Sequence, residues 1–495
     1  MNSPLPRLHH QFEFPILSVL SASILTLSAA FTSGCGGSGG GTATALSGST
    51  NVIILASSTA NDQLWQFSLT LQSLTLTSQS GKTVTLLSAV QGEEFIHVNG
   101  NVEPLASAVV PQGIYTSATA TVSSAYPACA GQGAGTLLVD EALNGPGGSS
   151  VTVNLPQAIT VTGATMGLAL DLQVSKSALF SGGCTQSLTN SVPVAPVFNL
   201  TPVVIAAQPT NRTNGKALGL EGLISSIDAS RTGFSVNALY SMNGGIPPKW
   251  QVAVNGSTLF QGVGDSSQLA AGMPIDMDVA IQSDGTLLAT RVAVLDTDAT
   301  NLSVSHGPLL SMPSSKSAAM ALVNGFQGMI SSTFDEFDFS NASFQISSRF
   351  TNLQSLPFAA TFTATNMVDG QNVFVSSHAQ LVNGFPPLPM PVTTMTLIPQ
   401  TIDGTVSAVS NEGSFTTYTV TLAPYDLFPN LAVQAGQTTL LTKPNTVVVY
   451  ADSNTQKLNT NPPAAGSVLR FNGLVFNDNG TLRMDCAQIN DGVAL

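Results

Sequence analysis

The sequence predicts an all-β protein: an N-terminal β-sandwich followed by three small barrel-like β modules. Three observations predict it. Short runs with alternating apolar and polar residues recur along the chain, separated by Gly, Pro, Asn and Ser. The composition is rich in turn formers, with 44 Gly and 28 Pro among 495 residues, while only 8 % are charged. A Gly-anchored strand pattern appears three times after residue 217, at intervals of about 80–105 residues, which is the size of a domain rather than of a solenoid unit.

The charge balance narrows the function. The chain has 14 Lys+Arg against 27 Asp+Glu, a net charge of −13. No basic stripe is present to release counterions from phosphates, so no nucleic acid is expected as a partner. At 43 % hydrophobic residues the chain is not a disordered one, and heptads and a collagen period are absent.

Residues 1–34 read as an export signal. Arg7 precedes an uncharged apolar stretch at 15–31, which ends in Thr32-Ser33-Gly34 before Cys35. The segment resembles the lipobox of bacterial lipoproteins, with Thr32 where the family usually has Leu. The resemblance implies lipidation of Cys35 and a membrane-anchored, extracytoplasmic chain. An ordinary cleaved signal and an uncleaved anchor are the alternatives, although a spanning helix needs about 20 apolar residues. Gly36 in place of Asp favours the outer membrane. Residues 35–50 are a Gly/Ser-rich tether. Its Gly36-Gly37-Ser38-Gly39-Gly40 fits an esterase pattern but has no strand–turn–helix elbow to give it meaning.

Residues 51–206 form the N-terminal sandwich. Phe67, Leu69 and Leu71 alternate, then the phase slips to Leu74 and Leu76, as at a β-bulge. Ser78–Lys82 is a turn, which also disposes of Gly81-Lys82-Thr83 as a phosphate loop. Leu168, Leu170, Leu172 and Val174 share one strand face. Cys129 and Cys184 lie in Gly-rich loops of this domain and are expected to form a disulfide in an oxidising compartment, contributing about 4 kcal/mol. Cys486 is left over as a half-buried thiol in the last strand. No CxxC or HxxxH spacing exists, so no metal site is expected.

The modules follow at 217–298, 323–382 and 401–495. The first opens with Gly219–Ile227 and continues to Gly233-Phe234-Ser235-Val236; the third opens with Ile402-Asp403-Gly404-Thr405-Val406. The second, from Gly325, is the most diverged. First and third share a closing Gly turn, at Asp284-Gly285 and Asn479-Gly480. Residues 299–322 and the Pro-rich 383–400 read as connectors. The modules resemble uncharacterised bacterial extracytoplasmic domains expected to be OB-like barrels, and residues 51–206 resemble the uncharacterised domain that often precedes them in envelope lipoproteins. The resemblance implies no activity.

No residue is assigned a catalytic role, and no cofactor is expected. His97, His306 and His378 fall in different modules and are read as isolated surface or edge-strand residues. Carboxylates at Glu93-Glu94, Asp276/Asp278, Asp296/Asp298 and Asp335-Glu336/Asp338 could serve a hydrolase only if the fold brought two together. Residues 296–301 alternate oxygen side chains but lack the Gly and Glu of an EF-hand, so a calcium-stabilised adhesin is a third reading. Trp250, beside a Pro/Gly loop, is the candidate ligand contact, with packing on the barrel wall as the other reading. The leading expectation is a structural or binding role at the envelope, with a protein or glycan partner. The alternative is a carbohydrate-active hydrolase with paired carboxylates between domains.

Overall fold

A computed structural model describes residues 46–59, 64, 66–130, 137–139, 149–153, 155, 157–177, 195–239, 248–311, 316–321, 324–325, 334–380, 382, 387–422, 426–432, 441–459 and 461–492. Over half of these residues are strand, as the alternation predicts; the two α-helices among them, Val174–Ser177 and Leu427–Ala432, are each under two turns. No helix among the described residues is long and apolar enough to cross a membrane. Cys35 with the signal and the tether up to residue 45, Cys184 and the side chain of Cys129 lie outside the described residues; the last two tether positions, Ser49 and Thr50, already belong to the strand Ser49–Ser58.

The N-terminal region has two sheets. One runs in the order Phe198–Val203, Thr165–Leu172, Ser49–Ser58, Glu103–Pro111; the other is built on Gln66–Ser78 paired with Gly113–Ala130. Both sheets bury residues in one core, which includes Ile54 and Leu170 from the first, Leu69 and Ala120 from the second. Register shifts at Thr70/Leu71 and Leu71/Ser73 form the irregularity behind the apolar phase slip. The turn at Ser78–Lys82 closes with Ser78 N–H donating to Lys82 O at 2.8 Å, and Thr83–Leu87 returns along the same strand. The strand Ser49–Ser58 has a continuous apolar run because both of its faces are covered. Val52, Ile54 and Ala56 join the N-terminal core, while Ile53 and Leu55 join the core of the next sheet.

That next sheet spans 216–294. Lys249–Ala253, Gly233–Ala238, Lys216–Ile227, Pro274–Ile281 and Leu287–Val294 pair in that order, and the last pairs back to the first in parallel at Val252 with Leu287. The sheet spanning 400–491 repeats this pattern. Thr446–Ala451, Phe415–Thr421, Gln400–Glu412, Val468–Asp478 and Thr481–Asp491 pair in sequence, and the ends meet in parallel at Val447 with Leu482. The Gly of the shared motif has the same steric cause in both. A Cβ on Gly222 would stand 2.7 Å from Asn237 O, and one on Gly404 would stand 2.7 Å from Thr421 O. Only a residue without a side chain lets the neighbouring strand approach so closely.

Between them, residues 303–397 form an eight-stranded sheet of different order, centred on Ser303–Ser311 beside Asn372–Ser377. This corrects the reading of 299–322 and 383–400 as connectors. Ser303–Ser311, Ser317–Ala321 and Thr394–Leu397 are strands of that sheet. The first reads SVSHGPLLS; its polar residues suggested a loop, yet all nine are buried. Of the motif that opens this module, 326–333 lie outside the described residues.

The described residues 46–492 lie in one compact unit. Polar side chains tie the sheets together. Arg470 donates to Ser58 O at 2.9 Å and to Asn99 Oδ1 at 2.8 Å, and Gln488 donates to Gly100 O at 2.8 Å. Leu474 and Phe476 leave their own sheet's core for that of the 303–397 sheet. Within 216–294, buried Arg291 donates to Asp276 Oδ1 at 2.7 Å and to Asp278 Oδ2 at 3.2 Å. Burial would raise the Asp278 carboxyl, but Arg349, Arg291 and the Gly219 N–H outweigh it and hold it at about 2. The Asp276/Asp278 cluster is thus half of an ion-pair network. Arg291→Ala leaves two buried carboxylates without their main partner and is expected to cost about 3–5 kcal/mol in urea denaturation; a loss below about 1 kcal/mol would show that the network is not a stability element.

Candidate functional site

The chemistry gathers where the sheets meet. A cavity of about 120 Å³ lies at this junction, and every region contributes to its wall. The N-terminal region supplies Glu94, His97 and Asn99; the 216–294 sheet supplies Glu221; the 303–397 sheet supplies His306 and Asn372. The C-terminal sheet closes it with Gln400, Thr401, Phe428 and Asn472.

On one side, His306 is buried on the central strand Ser303–Ser311. Its Nδ1 lies 2.7 Å from Glu221 Oε2, and the Asn372 amide lies 3.2 Å from its Nε2. The partners fit an Nδ1–H donating to the carboxylate and an Nε2 accepting from the amide. On the other side, the short strand Gln91–Glu94 runs into a turn, closed by Asn99 N–H on Ile96 O and Asn101 N–H on Val98 O. The chain then returns as Glu103–Pro111, which brings Glu103 next to His97. Glu94 accepts from the backbone N–H groups of Phe67 at 2.7 Å, Ile96 at 2.9 Å and His97 at 2.9 Å. Its Oε2 also meets His97 Nδ1 at 3.2 Å. His97 Nε2 lies 2.8 Å from Glu103 Oε2 and 3.9 Å from Glu93 Oε1. Glu93 is completely buried, and neither of its oxygens makes a hydrogen bond.

Burial, with Glu103 beside it, pushes the Glu93 carboxyl well above the usual carboxylate range. Burial works against charge on His97 too, but the carboxylates of Glu103 and Glu94 overcome it and push the imidazole up to about 10. Glu93, His97 and Glu103 place one ligand atom each within 4.8 Å of one another, a grouping that could hold a metal ion.

The expectation of three isolated histidines is therefore corrected. His97 and His306 line one cavity, and each faces a carboxylate. His378 stands apart, part-buried, bridging Thr300 O at 2.9 Å and Asp296 Oδ2 at 3.0 Å. Asp296 also accepts from Ser376, so its side chain holds the 296–301 loop to the neighbouring strand. Of the two readings of Trp250, exposed contact or packed ring, the structure shows the packed one. The ring is 3 % exposed, and its N–H donates to Pro104 O at 2.7 Å, joining the second sheet to the N-terminal region. Cys486 lies in the last strand as expected but is fully rather than half buried, and burial pushes its thiol well up, which makes it unreactive.

Residues 221–293 match a family model described as Domain of unknown function (DUF5666). The matched domain covers most of the 216–294 sheet. It carries Glu221 of the cavity and the Asp276, Asp278 and Arg291 network. No curated protein matches the chain.

No local pattern marks the cavity, because its residues are spread from 64 to 472. One signal was present: Glu93, His97 and Glu103 sit at i, i+4 and i+10 around an Asn-Gly turn that folds them together.

Asp369, just before cavity residue Gly370, is nearly buried, and its Oδ1 makes no hydrogen bond. Burial pushes its carboxyl up to about 7. The unfolded carboxyl titrates near pH ~4, so the folded state holds the proton more tightly. This contribution is fully present below about pH 4 and is lost as pH rises through about 7. Asp369→Asn is expected to leave stability at pH 4 nearly unchanged and to raise it by about 2–4 kcal/mol at pH 8. Urea denaturation at both pH values checks this; an equal effect at the two would rule the titration out.

Proposed function

We propose that the chain is a lipid-anchored cell-envelope protein whose modules together form a binding site for a small polar group, such as the end of a glycan or a peptide side chain. The observation that carries this is the shared cavity: five polar side chains, His97, His306, Asn372, Gln400 and Asn472, converge on it from three regions. Fixed hydrogen-bonding groups in a partly apolar pocket confer selectivity on a polar ligand. The low charge and the signal-like N-terminus with Cys35 support an extracytoplasmic setting. The matching strand orders of 216–294 and 400–491 support reading the C-terminal sheet as a second, diverged copy of the matched domain, with the OB-like barrel as its form.

The hydrolase reading has one observation in its favour. Glu94, Glu221 and Asp426 line the same cavity. Two of these are already committed as acceptors, Glu94 to three backbone N–H groups and Glu221 to His306. Their arrangement favours holding a ligand over passing it a proton.

The test is retention of envelope glycans and proteins on the purified chain, compared with Asn372→Ala. A reproducible partner that Asn372→Ala binds at least tenfold more weakly, with an unchanged melting temperature, is the expected result. Retention of nothing by the folded chain overturns the reading, and glycoside turnover lost in Glu221→Gln would replace it with the hydrolase.

A further inference from the structure

We propose that Glu93, His97 and Glu103 form a site for one divalent transition-metal ion, with Glu94 as the residue that positions His97. The site shares His97 with the cavity wall but needs no occupant of the cavity, so it stands or falls independently of the ligand reading above.

The argument starts with Glu93. Its side chain is completely buried, and both oxygens lack a hydrogen bond. A carboxyl group in that state costs several kcal/mol unless something pairs with it. Glu103 adds a second buried oxygen without a partner, Oε1. Both acids lie on the Nε2 side of the His97 ring, at 3.9 Å and 2.8 Å. Metal–ligand bonds of roughly 2.0–2.2 Å set ligand atoms about 3–4.4 Å apart. The three donor atoms here lie within 4.8 Å of each other, so a small closing movement brings them into range.

The far side of the ring fits as well. Ligating histidines usually offer their second nitrogen to a carboxylate, which sets the tautomer and aims the free nitrogen at the metal. Glu94 Oε2 stands 3.2 Å from Nδ1, and three backbone N–H groups hold that carboxylate still. Charge points the same way. Three acidic side chains surround one imidazole, and a dication among them can hold all three as carboxylates.

The donor set selects the metal. Two carboxylate oxygens and an imidazole nitrogen suit Mn²⁺, Fe²⁺ or Zn²⁺, whereas Mg²⁺ and Ca²⁺ prefer oxygen throughout. Three protein ligands also leave a coordination position open. Such an ion would clamp the end of Gln91–Glu94 to the start of Glu103–Pro111.

The experiment titrates the untagged, metal-stripped chain with Zn²⁺ and separately with Mn²⁺, read by calorimetry and by thermal melting. One ion per chain is expected, raising the melting temperature, with Mg²⁺ failing to substitute. Glu93→Gln is expected to weaken binding at least tenfold. Its metal-free form should melt at or above the wild type, because an unpaired buried carboxyl is gone; this separates loss of the site from loss of the fold. Glu94→Gln, which does not touch the ion, should weaken binding about 10–100-fold. Absence of Zn²⁺ and Mn²⁺ binding by the folded wild type overturns the proposal, as does binding that Glu93→Gln and Glu103→Gln leave unchanged.

Discussion

The structure depends on one constraint: most of the segment 93–103 is buried at the junction of the sheets, and its buried polar groups cannot reach bulk water. Every one of them must be answered from inside the protein. Its carbonyls take side chains from the C-terminal sheet, Thr401 Oγ1 onto Asn99 O at 2.7 Å and Gln488 onto Gly100 O. Glu94 takes N–H groups from its own turn and from the neighbouring strand. A hydrogen bond made in this low-dielectric setting is worth more than one at the surface, and one left unmade costs more. The junction is therefore specific as well as adhesive. It accepts only an arrangement in which residues several hundred positions apart in the chain arrive together.

The same constraint explains how the modules can be parts of one body. A chain with 8 % charged residues has few ions to place, and a disproportionate number of them are buried. Arg470 bridges the C-terminal sheet to Ser58 and Asn99, and Arg291 neutralises two aspartates inside its own sheet. Apolar packing supplies most of the adhesion, through Ile53 and Leu55 on one boundary and Leu474 and Phe476 on another. The buried ions add less to adhesion than to selectivity, because a partner displaced by a few ångströms leaves a charge stranded.

The fold class was legible in the sequence because alternation and Gly signals are local. The strand at 66–78 and its bulge follow from the phase of Phe67, Leu69, Leu71, Leu74 and Leu76 alone. The Gly222 and Gly404 motif was legible as a repeat because the same close strand approach imposes the same residue twice. Ser303–Ser311 was not legible. A buried central strand whose histidine is paired by a carboxylate of another module has the composition of a linker. The site was hidden for the same reason. His306 acquires meaning only from Glu221, 85 residues earlier, and no periodicity carries information across that distance. Trp250 is the opposite case: the loop beside it allowed an exposed contact, but its ring packs inward and its N–H is spent on Pro104.

A cavity with walls drawn from every module makes binding and assembly one problem. Glu221 belongs to the matched domain, but its partner His306 belongs to the next sheet, and the opposite wall belongs to the N-terminal region. No single module holds a complete site. A ligand that bridges these walls stabilises their mutual arrangement, since it binds the assembled form and not a separated one. Conversely, any shift between sheets moves His97 and His306 relative to each other and changes the pocket. In a protein built this way the pocket resides in the junction, and the packing of the individual sheets sets its width.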